Sequence, residues 1–393
     1  MPTSIIAAVV SYGVGAYLGP GILATVVGGL AGSLVSNVIG SAFADKPDQP
    51  ANQLDQQASN RLLTLRQPIA PWQWIYGQVR VGGALTYVED SGNGNLHLIV
   101  TLAGHACEEL GDIWFDDEVV PLEGSGNATG TFAGYVRIEK SLGAESASTH
   151  PFPSLVSESA GLWTNDHKQA GRAKLYVRLT WNADLFPRGI PNITCLVKGR
   201  KVYDPRSTLT AWSANPALCI ADYFTADESV GLGCVYADEI DEAQLIAAAN
   251  ICDENVSLAA GGTEDRYTLN GAFAINASPR EIVGRLNTAH GGVSRFLGGT
   301  WGVYPAVYAT PTVTLTADDL RGGLHVMPRI SRRDLANGVK GIYVSPANSW
   351  QASDFPAVTN ATYLTEDSEE RIWRELDLPF TTSAATAQRI AKI

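Results

Sequence analysis

The first 44 residues contain no Asp, Glu, Lys or Arg, and a soluble chain cannot leave so long an apolar run in water. From Ile5 to Phe43 nearly every residue is apolar or small. The run is long enough to cross a bilayer once or to form a helical hairpin. It is not a secretory signal by pattern, because no basic residue precedes the apolar region and that region is too long. Gly15 and Gly19, then Gly28, Gly32, Ser36 and Gly40, recur four apart and make a smooth face on which a second helix can lie. Pro20-Gly21 breaks or kinks the run near its middle. Residues 1–44 are expected to form one or two helices covered by protein or lipid. Val14, Leu18, Leu23, Val27, Leu30, Leu34 and Val38 are the expected partner- or membrane-contacting residues. The apolar content argues against a disordered glycine-rich arm.

A polar linker, 45–62, with Pro47 and Pro50 and no core-forming pattern, separates this arm from the body. The net charge of −12 disfavours broad attraction to nucleic acid or to an anionic membrane. Only 17% of residues are charged, while 39 are glycine, a balance that suits a β-rich protein hiding much of its surface in an assembly. Cys107, Cys195, Cys219, Cys234 and Cys252 are scattered, odd in number and without a C-x-x-C pair. Buried free thiols in a reducing compartment are expected, against a Cys219–Cys234 disulfide as the alternative.

Along the body, β-rich runs occur at Ile75, Val79–Val81, Ala84–Val88 and Leu96–Ala103, the last two joined by a Ser91–Asn95 hairpin loop. Ile113–Phe115 and Val119–Leu122 flank an acidic turn. Residues 124–170 are Gly-, Ser- and Asn-rich and predict a loop excursion. Strand signal returns at Ala173–Trp181 and Ile193–Lys198. Asn215-Pro216 opens a helix, Asp241–Cys252 is a second, and the capping box Ser278-Pro-Arg-Glu281 opens a third. Arg266–Phe273 between them reads as a strand. Trp301–Tyr308, Thr312–Leu315, Gly341–Val344, Ala361–Leu364 and Glu370–Leu376 are further expected strands, and Ser383 caps a closing helix, Ala384–Ile393. That helix ends with its apolar stripe unfinished, so a longer polypeptide is expected.

No Walker loop, His-Glu-x-x-His, zinc spacing or nucleophile elbow occurs. His97, His105, His150, His167, His290 and His325 stand at no metal-ligand spacing. Asp112, Asp116, Asp117 and Glu118 are oxygen-rich, but they lack the spacing and glycine of a calcium loop, so neither metal nor cofactor is expected. Trp72, Trp74 and Tyr76 alternate with Gln73 and Ile75 and share one strand face. They are expected to seal a domain or subunit interface rather than to stack on sugar.

Five segments in order resemble one family. They are PWQWIYGQVRVGG (71–83) with LHLIVTLAGHACEELGDIWFDDE (96–118), FPRGIPNITCLVKGRKVYDPR (186–206), NPALCIADYFTADESVGLG (215–233), Cys252–Phe273, and the Thr382–Ile393 helix with Ala387-Gln388-Arg389. Together, over residues 63–393, they are similar to the central tail hub, or tip attachment protein, of long-tailed bacteriophages, the lambda protein J family. The resemblance implies an α+β, mostly β chain: two tail-tube-like β domains, 63–205 and 298–380, flank a small α/β domain, 206–297. Residues 381–393 would start a helix leading into further regions. The apolar arm is not carried over from the lambda protein.

What the resemblance implies is a non-enzymatic virion protein, assembled in the host cytoplasm: a homotrimer at the tail tip. It would close the tail tube, anchor other tip proteins and the distal tail ring, and act in host attachment and DNA ejection. Its arm would meet the tape-measure protein or, during ejection, the host membrane, and DNA would pass through the channel without specific binding. Two alternatives stay open: a membrane-active protein inserting its own arm, and a carbohydrate-binding or carbohydrate-cleaving β protein.

Overall fold

The computed structural model describes residues 61–66, 70–144, 150–308, 310–311, 313–319, 321–322 and 335–393. The apolar arm, with Val14, Leu18, Leu23, Val27, Leu30, Leu34 and Val38, and the linker as far as residue 60 lie outside the described residues. Among the described residues no helix is long and apolar enough to cross a membrane. The chain divides into two compact units, residues 1–52 with 186–190, and residues 53–185 with 191–393. The described part of the first is a turn in which Gly189 N–H donates to the Phe186 carbonyl at 3.0 Å. The second holds the strands and helices and is mostly β.

Strands β1 (Gln73–Tyr76) and β2 (Gln78–Gly82) are parted by Gly77, whose φ of 63° lies where glycine is favoured. A Cβ at Gly77 would strike the Leu269 carbonyl, so this turn also needs the missing side chain. β3 (Ala84–Asp90) and β4 (Asn95–Ala103) form the expected hairpin. Asp90 Oδ1 organises its turn by accepting Gly92 N–H at 2.8 Å. β5 (Glu109–Phe115) turns through Asp116-Asp117 into β6 (Glu118–Val119).

The 124–170 stretch, expected as a loop excursion, contributes strand β7 (Val136–Ser141) and helix α1 (Pro153–Glu158). Val136 and Ile138 do alternate with Arg137 and Glu139, but over too few residues to stand out among the glycines and serines. β8 (Ala173–Thr180) and β9 (Ile193–Lys198) then complete antiparallel sheets of order β3-β4-β8-β7 and β2-β9-β5-β6. Leu98, Ile99 and Val100 on β4, and Leu175, Tyr176 and Val177 on β8, are fully buried, so these strands are covered on both faces. One cover is α1, where Phe152, Leu155 and Trp163 pack on Ile99 and Tyr176.

After the hairpin of β10 (Lys201–Asp204) and β11 (Leu209–Trp212) come α2 (Pro216–Thr225), α3 (Tyr236–Glu239) and α4 (Glu242–Cys252). Asn215 caps α2 by accepting the N–H groups of Ala217 at 3.0 Å and Leu218 at 3.4 Å, with Pro216 at the first helical position. β12 (Asn255–Ser257) and β13 (Thr263–Asp265) form a short hairpin. β14 (Gly271–Ala274) pairs antiparallel with β1. The strand expected from Arg266 is therefore confined to its end. Upstream, the N–H groups of Tyr267 and Leu269 donate to the carbonyls of Cys252 (3.1 Å) and Ala214 (2.7 Å) instead of to a ladder. α5 (Pro279–Asn287) starts at the Ser278 cap, whose Oγ accepts Glu281 N–H at 3.3 Å. Leu218, Leu245, Ile282 and Leu286 carry these helices into one core with Trp74 and Tyr76.

β15 (Val293–Leu297) and β16 (Thr300–Tyr304) form a two-stranded ribbon around Gly298-Gly299. Farther on, β17 (Gly338–Ser345) pairs antiparallel with β18 (Gln351–Asp354) and β19 (Val358–Thr359). Helix α6 (Ala361–Glu366) precedes β20 (Trp373–Leu378), which runs parallel to β17. Two expected strands are corrected. Residues 313–315 are irregular, and Ala361–Leu364 is helical. Asn360 redirects that segment by accepting the N–H groups of Thr362 (2.9 Å) and Tyr363 (3.2 Å), a helix cap that outweighs the β-prone Thr and Tyr. The closing helix α7 (Ala384–Ala391) is capped by Ser383 as expected and buries Ala387 and Ile390.

Asn215 also donates to the Ala249 carbonyl (2.9 Å) and to Asp253 Oδ1 (2.8 Å), tying α2 to the end of α4. Asn215→Ala should therefore cost about 2–3 kcal/mol, the upper end of a cap loss plus stranded acceptors, in denaturant unfolding. Asn215→Asp keeps the cap but sets a second carboxylate beside Asp253, and should recover only part of the loss.

Candidate functional site

The segments that carry the family resemblance meet at two partly buried polar nodes. At the first, β1 has both faces covered. Trp74 and Tyr76 enter the helical core, and Ile75, between them, is also fully buried. The Tyr76 hydroxyl donates to Asp222 Oδ2 at 2.6 Å, and Arg200 Nε donates to the same oxygen at 2.8 Å. Tyr76 comes from β1, Arg200 from the turn after β9, and Asp222 from α2. Burial raises the Asp222 pKa, against the lowering effect of Arg200 and of the Tyr76 hydrogen bond. The Tyr76 phenol is pushed well up, by burial first and by Asp222 second.

Arg200 also lies over the Trp74 ring, 4.9 Å from its centroid, while His105 packs edge-on to the same ring at 4.6 Å. His105 Nε2 accepts Ile75 N–H at 3.0 Å, and Nδ1–H donates to the Ala106 carbonyl at 2.8 Å. Burial drives the His105 pKa down to about 4, so the ring is neutral and this tautomer is fixed by its two partners. Arg200 N–H donates to the Ile75 carbonyl at 2.9 Å. A Cβ on the adjacent Gly199 would strike that carbonyl, so the close approach needs glycine. Trp72, just before β1, is half-buried with the Arg172 guanidinium 4.7 Å from its ring.

The second node joins Cys252–Phe273 to the closing helix. Glu264 Oε2 accepts Ser383 Oγ at 2.7 Å, and Oε1 accepts Thr386 Oγ1 and Arg389 Nη2, both at 3.0 Å. Arg389 Nη1 also donates to the Arg266 carbonyl at 2.5 Å. Asn270 Oδ1 accepts Gln78 N–H at 2.8 Å, and its Nδ2 donates to Thr382 Oγ1 at 3.0 Å, linking β2, β14 and α7. One carboxylate and one amide thus hold three segments that are far apart in the chain.

Trp72, Trp74 and Tyr76 were the site residues visible from the sequence. Asp222, Arg200 and Glu264 were not singled out, His105 was weighed only as a metal ligand, and Arg389 entered only within a family motif. The signal for Asp222 was its position as a lone acid in an otherwise apolar helix, PALCIADYFT. The acidic turn is engaged as well: Asp117 pairs with the buried Arg80 at 2.6 Å, and Asp116 accepts Asn192 N–H at 2.8 Å. Among the described residues no group of three or more His, Cys, Asp or Glu is placed to hold a metal. The five cysteines are free, and burial pushes the thiols of Cys107, Cys195 and Cys252 up to about 12. These nodes position chain segments.

The surface offers a different feature. On the β15–β16 ribbon Phe296 and Leu297 are more than half exposed, and Val293 nearly so. In the irregular stretch after β16, Tyr308 (86%), Val313 (72%) and Leu315 (74%) face outward. Isolated two-stranded ribbons are marginal by themselves, and this one is anchored by Trp301, whose ring lies 4.7 Å from Phe224.

No family model matches the chain, and no curated protein does either. Among solved structures, the fold is similar to a chain of the virion of a native gene transfer agent (GTA) particle. The TM-score is 0.50 and the identity 16%, over 92% of this chain and 82% of that one. That likeness runs over most of the chain and shows a similar fold.

Asp222→Ala should destabilise the chain by roughly 3–5 kcal/mol in urea unfolding, because it leaves Arg200 and Tyr76 without their common acceptor. Asp222→Asn keeps an acceptor oxygen and should cost less. Glu264→Gln should leave global stability nearly unchanged while speeding hydrogen exchange across α7 several-fold, since a neutral amide holds Arg389 less tightly.

Proposed function

We propose that this chain is a structural protein of a phage-like virion, and within it the trimeric central hub of the tail tip. The observation that carries this reading is the fold-level likeness to a gene transfer agent virion chain, which runs over nearly the whole sequence. Two features of the molecule support it. Several residues behind the hub resemblance join segments far apart in the chain. The β15–β16 ribbon and the stretch after it present large apolar side chains of the kind a closed ring of identical subunits would cover.

In this reading three copies close around the tail channel, anchor the other tip proteins and the distal tail ring, and open when DNA is ejected. The arm of residues 1–44 lies against the tape-measure protein in the resting particle and meets the host membrane on triggering. No cofactor and no catalytic residue are invoked.

The purified chain should run in native mass spectrometry as three copies, and Leu297→Asp with Phe296→Asp should shift it to one copy with its circular dichroism intact. A wild-type chain that stays monomeric at high concentration overturns the trimer. Deleting residues 1–44 from the phage-borne gene should abolish tail assembly or ejection, and undiminished infectivity would remove the arm from the mechanism.

A further inference from the structure

Helix α1 and the turn after it form a cover over the sheet β3-β4-β8-β7, and one imidazole fastens it. His150 Nδ1 lies 3.0 Å from Phe152 N–H, and His150 Nε2 lies 3.1 Å from Trp163 Nε1–H. Both groups facing the ring are obligate donors. A neutral imidazole offers a lone pair to one of them, and a doubly protonated ring offers none. Trp163 is the keystone of the cover: its ring sits 4.6 Å from Tyr87 of β3, and it packs with Phe152, Leu155, Ile99 and Tyr176.

The helix itself is fastened differently. Glu158 Oε1 accepts Arg137 Nη1 at 2.8 Å, and Oε2 accepts Arg178 Nη1 at 3.3 Å, so α1 is tied to β7 and β8 by ion pairs. Glu139 of β7 accepts Ser154 Oγ. We propose that His150 is an acid-sensitive clasp: its protonation releases Trp163 and residues 159–169 from the sheet, uncovering Tyr87, while α1 stays pinned through Glu158.

The surrounding charges agree on direction. Burial lowers the His150 pKa from its ordinary 6.5, and Lys168 and Lys174 add to that lowering, while the backbone of His167 and of Phe152 acts against it. A base whose pKa is depressed in the closed form takes up its proton on opening. The clasp is therefore fully effective above about pH 6.5 and weakens as pH falls below it. Burial also works to raise the Glu158 pKa, but Arg137 and Arg178 outweigh it and hold the carboxylate below its usual range. Glu158 thus stays ionised while His150 titrates.

His97 and His167 are the other imidazoles near the cover, the latter with its ring 4.9 Å from that of Trp163. His97 on β4 faces Tyr176 OH (2.8 Å) and Ser91 Oγ (3.0 Å), hydroxyls that accept as readily as they donate, so a proton there breaks neither contact. His167 is exposed and accepts Thr164 N–H at 3.1 Å within the same turn. Lys174 donates to the Gln169 and Arg172 carbonyls, and Glu89 of β3 lies near Tyr87.

The test is hydrogen exchange of the full chain at about pH 7.5 and about pH 5.5, corrected for the intrinsic pH dependence of exchange. Peptides spanning 159–169 should lose protection at the lower pH, by at most about tenfold, the ceiling that one group of ordinary pKa 6.5 supplies one unit below it. Peptides spanning 153–158 should keep theirs. His150→Gln replaces the ring with an acceptor that does not titrate, and its 159–169 protection should be the same at both pH values, whether high or low. Equal wild-type protection at both pH values, or a His150→Gln chain that keeps the wild-type difference, overturns the proposal. His167→Asn, which spares His150, should keep it.

Discussion

A short strand with no free face is the constraint on which this molecule depends. β1 sends Trp74 and Tyr76 into the helical core, buries Ile75 as well, and pairs along its edge with β14. A strand so enclosed leaves its polar neighbours little access to water, so a partner within the chain is worth much to them. The Tyr76 phenol and the Arg200 guanidinium meet on Asp222, and His105 takes the Ile75 N–H. The β-sheets before β10 and the helices after it are joined through that strand, which lies in the first of the segments that carry the hub resemblance.

The same economy governs the closing helix. Glu264 gathers Ser383, Thr386 and Arg389, while Asn270 reaches both the β2 backbone and Thr382. A carboxylate shared by three donors and partly shielded from water fixes the position of the helix that carries them. Here the polar chemistry has the character of joinery, and large apolar side chains are left on the β15–β16 ribbon. Those side chains are what the proposed ring of identical subunits would cover.

Much of this was legible in the sequence. The hairpin around Ser91–Asn95 announced itself through alternation and glycine, and the helices at Asn215, Asp241, Ser278 and Ser383 through their caps, because those signals are local. Failures fell where a local signal was weak or was overridden. β7 is only six residues in a glycine- and serine-rich stretch, so its alternation did not rise above the background. Ala361–Leu364 looked like a strand by side-chain type, yet Asn360 supplied a cap and the segment wound into a helix. Arg266–Asn270 looked extended, and its N–H groups instead serve Cys252, Ala214 and Phe380.

The candidate nodes divide along the same line. By itself the sequence determined that the chain is mostly β with a few capped helices, and that Trp74 and Tyr76 alternate on one strand. These follow from periodicity, caps and charge, all properties of neighbours along the chain. Only the tertiary structure decided that Asp222 answers Tyr76 and Arg200, that Glu264 holds Arg389, and that His150 lies between two N–H donors. Contacts between residues far apart in the chain leave no periodic trace, and an acid or a histidine looks the same in sequence whether water or a buried arginine surrounds it.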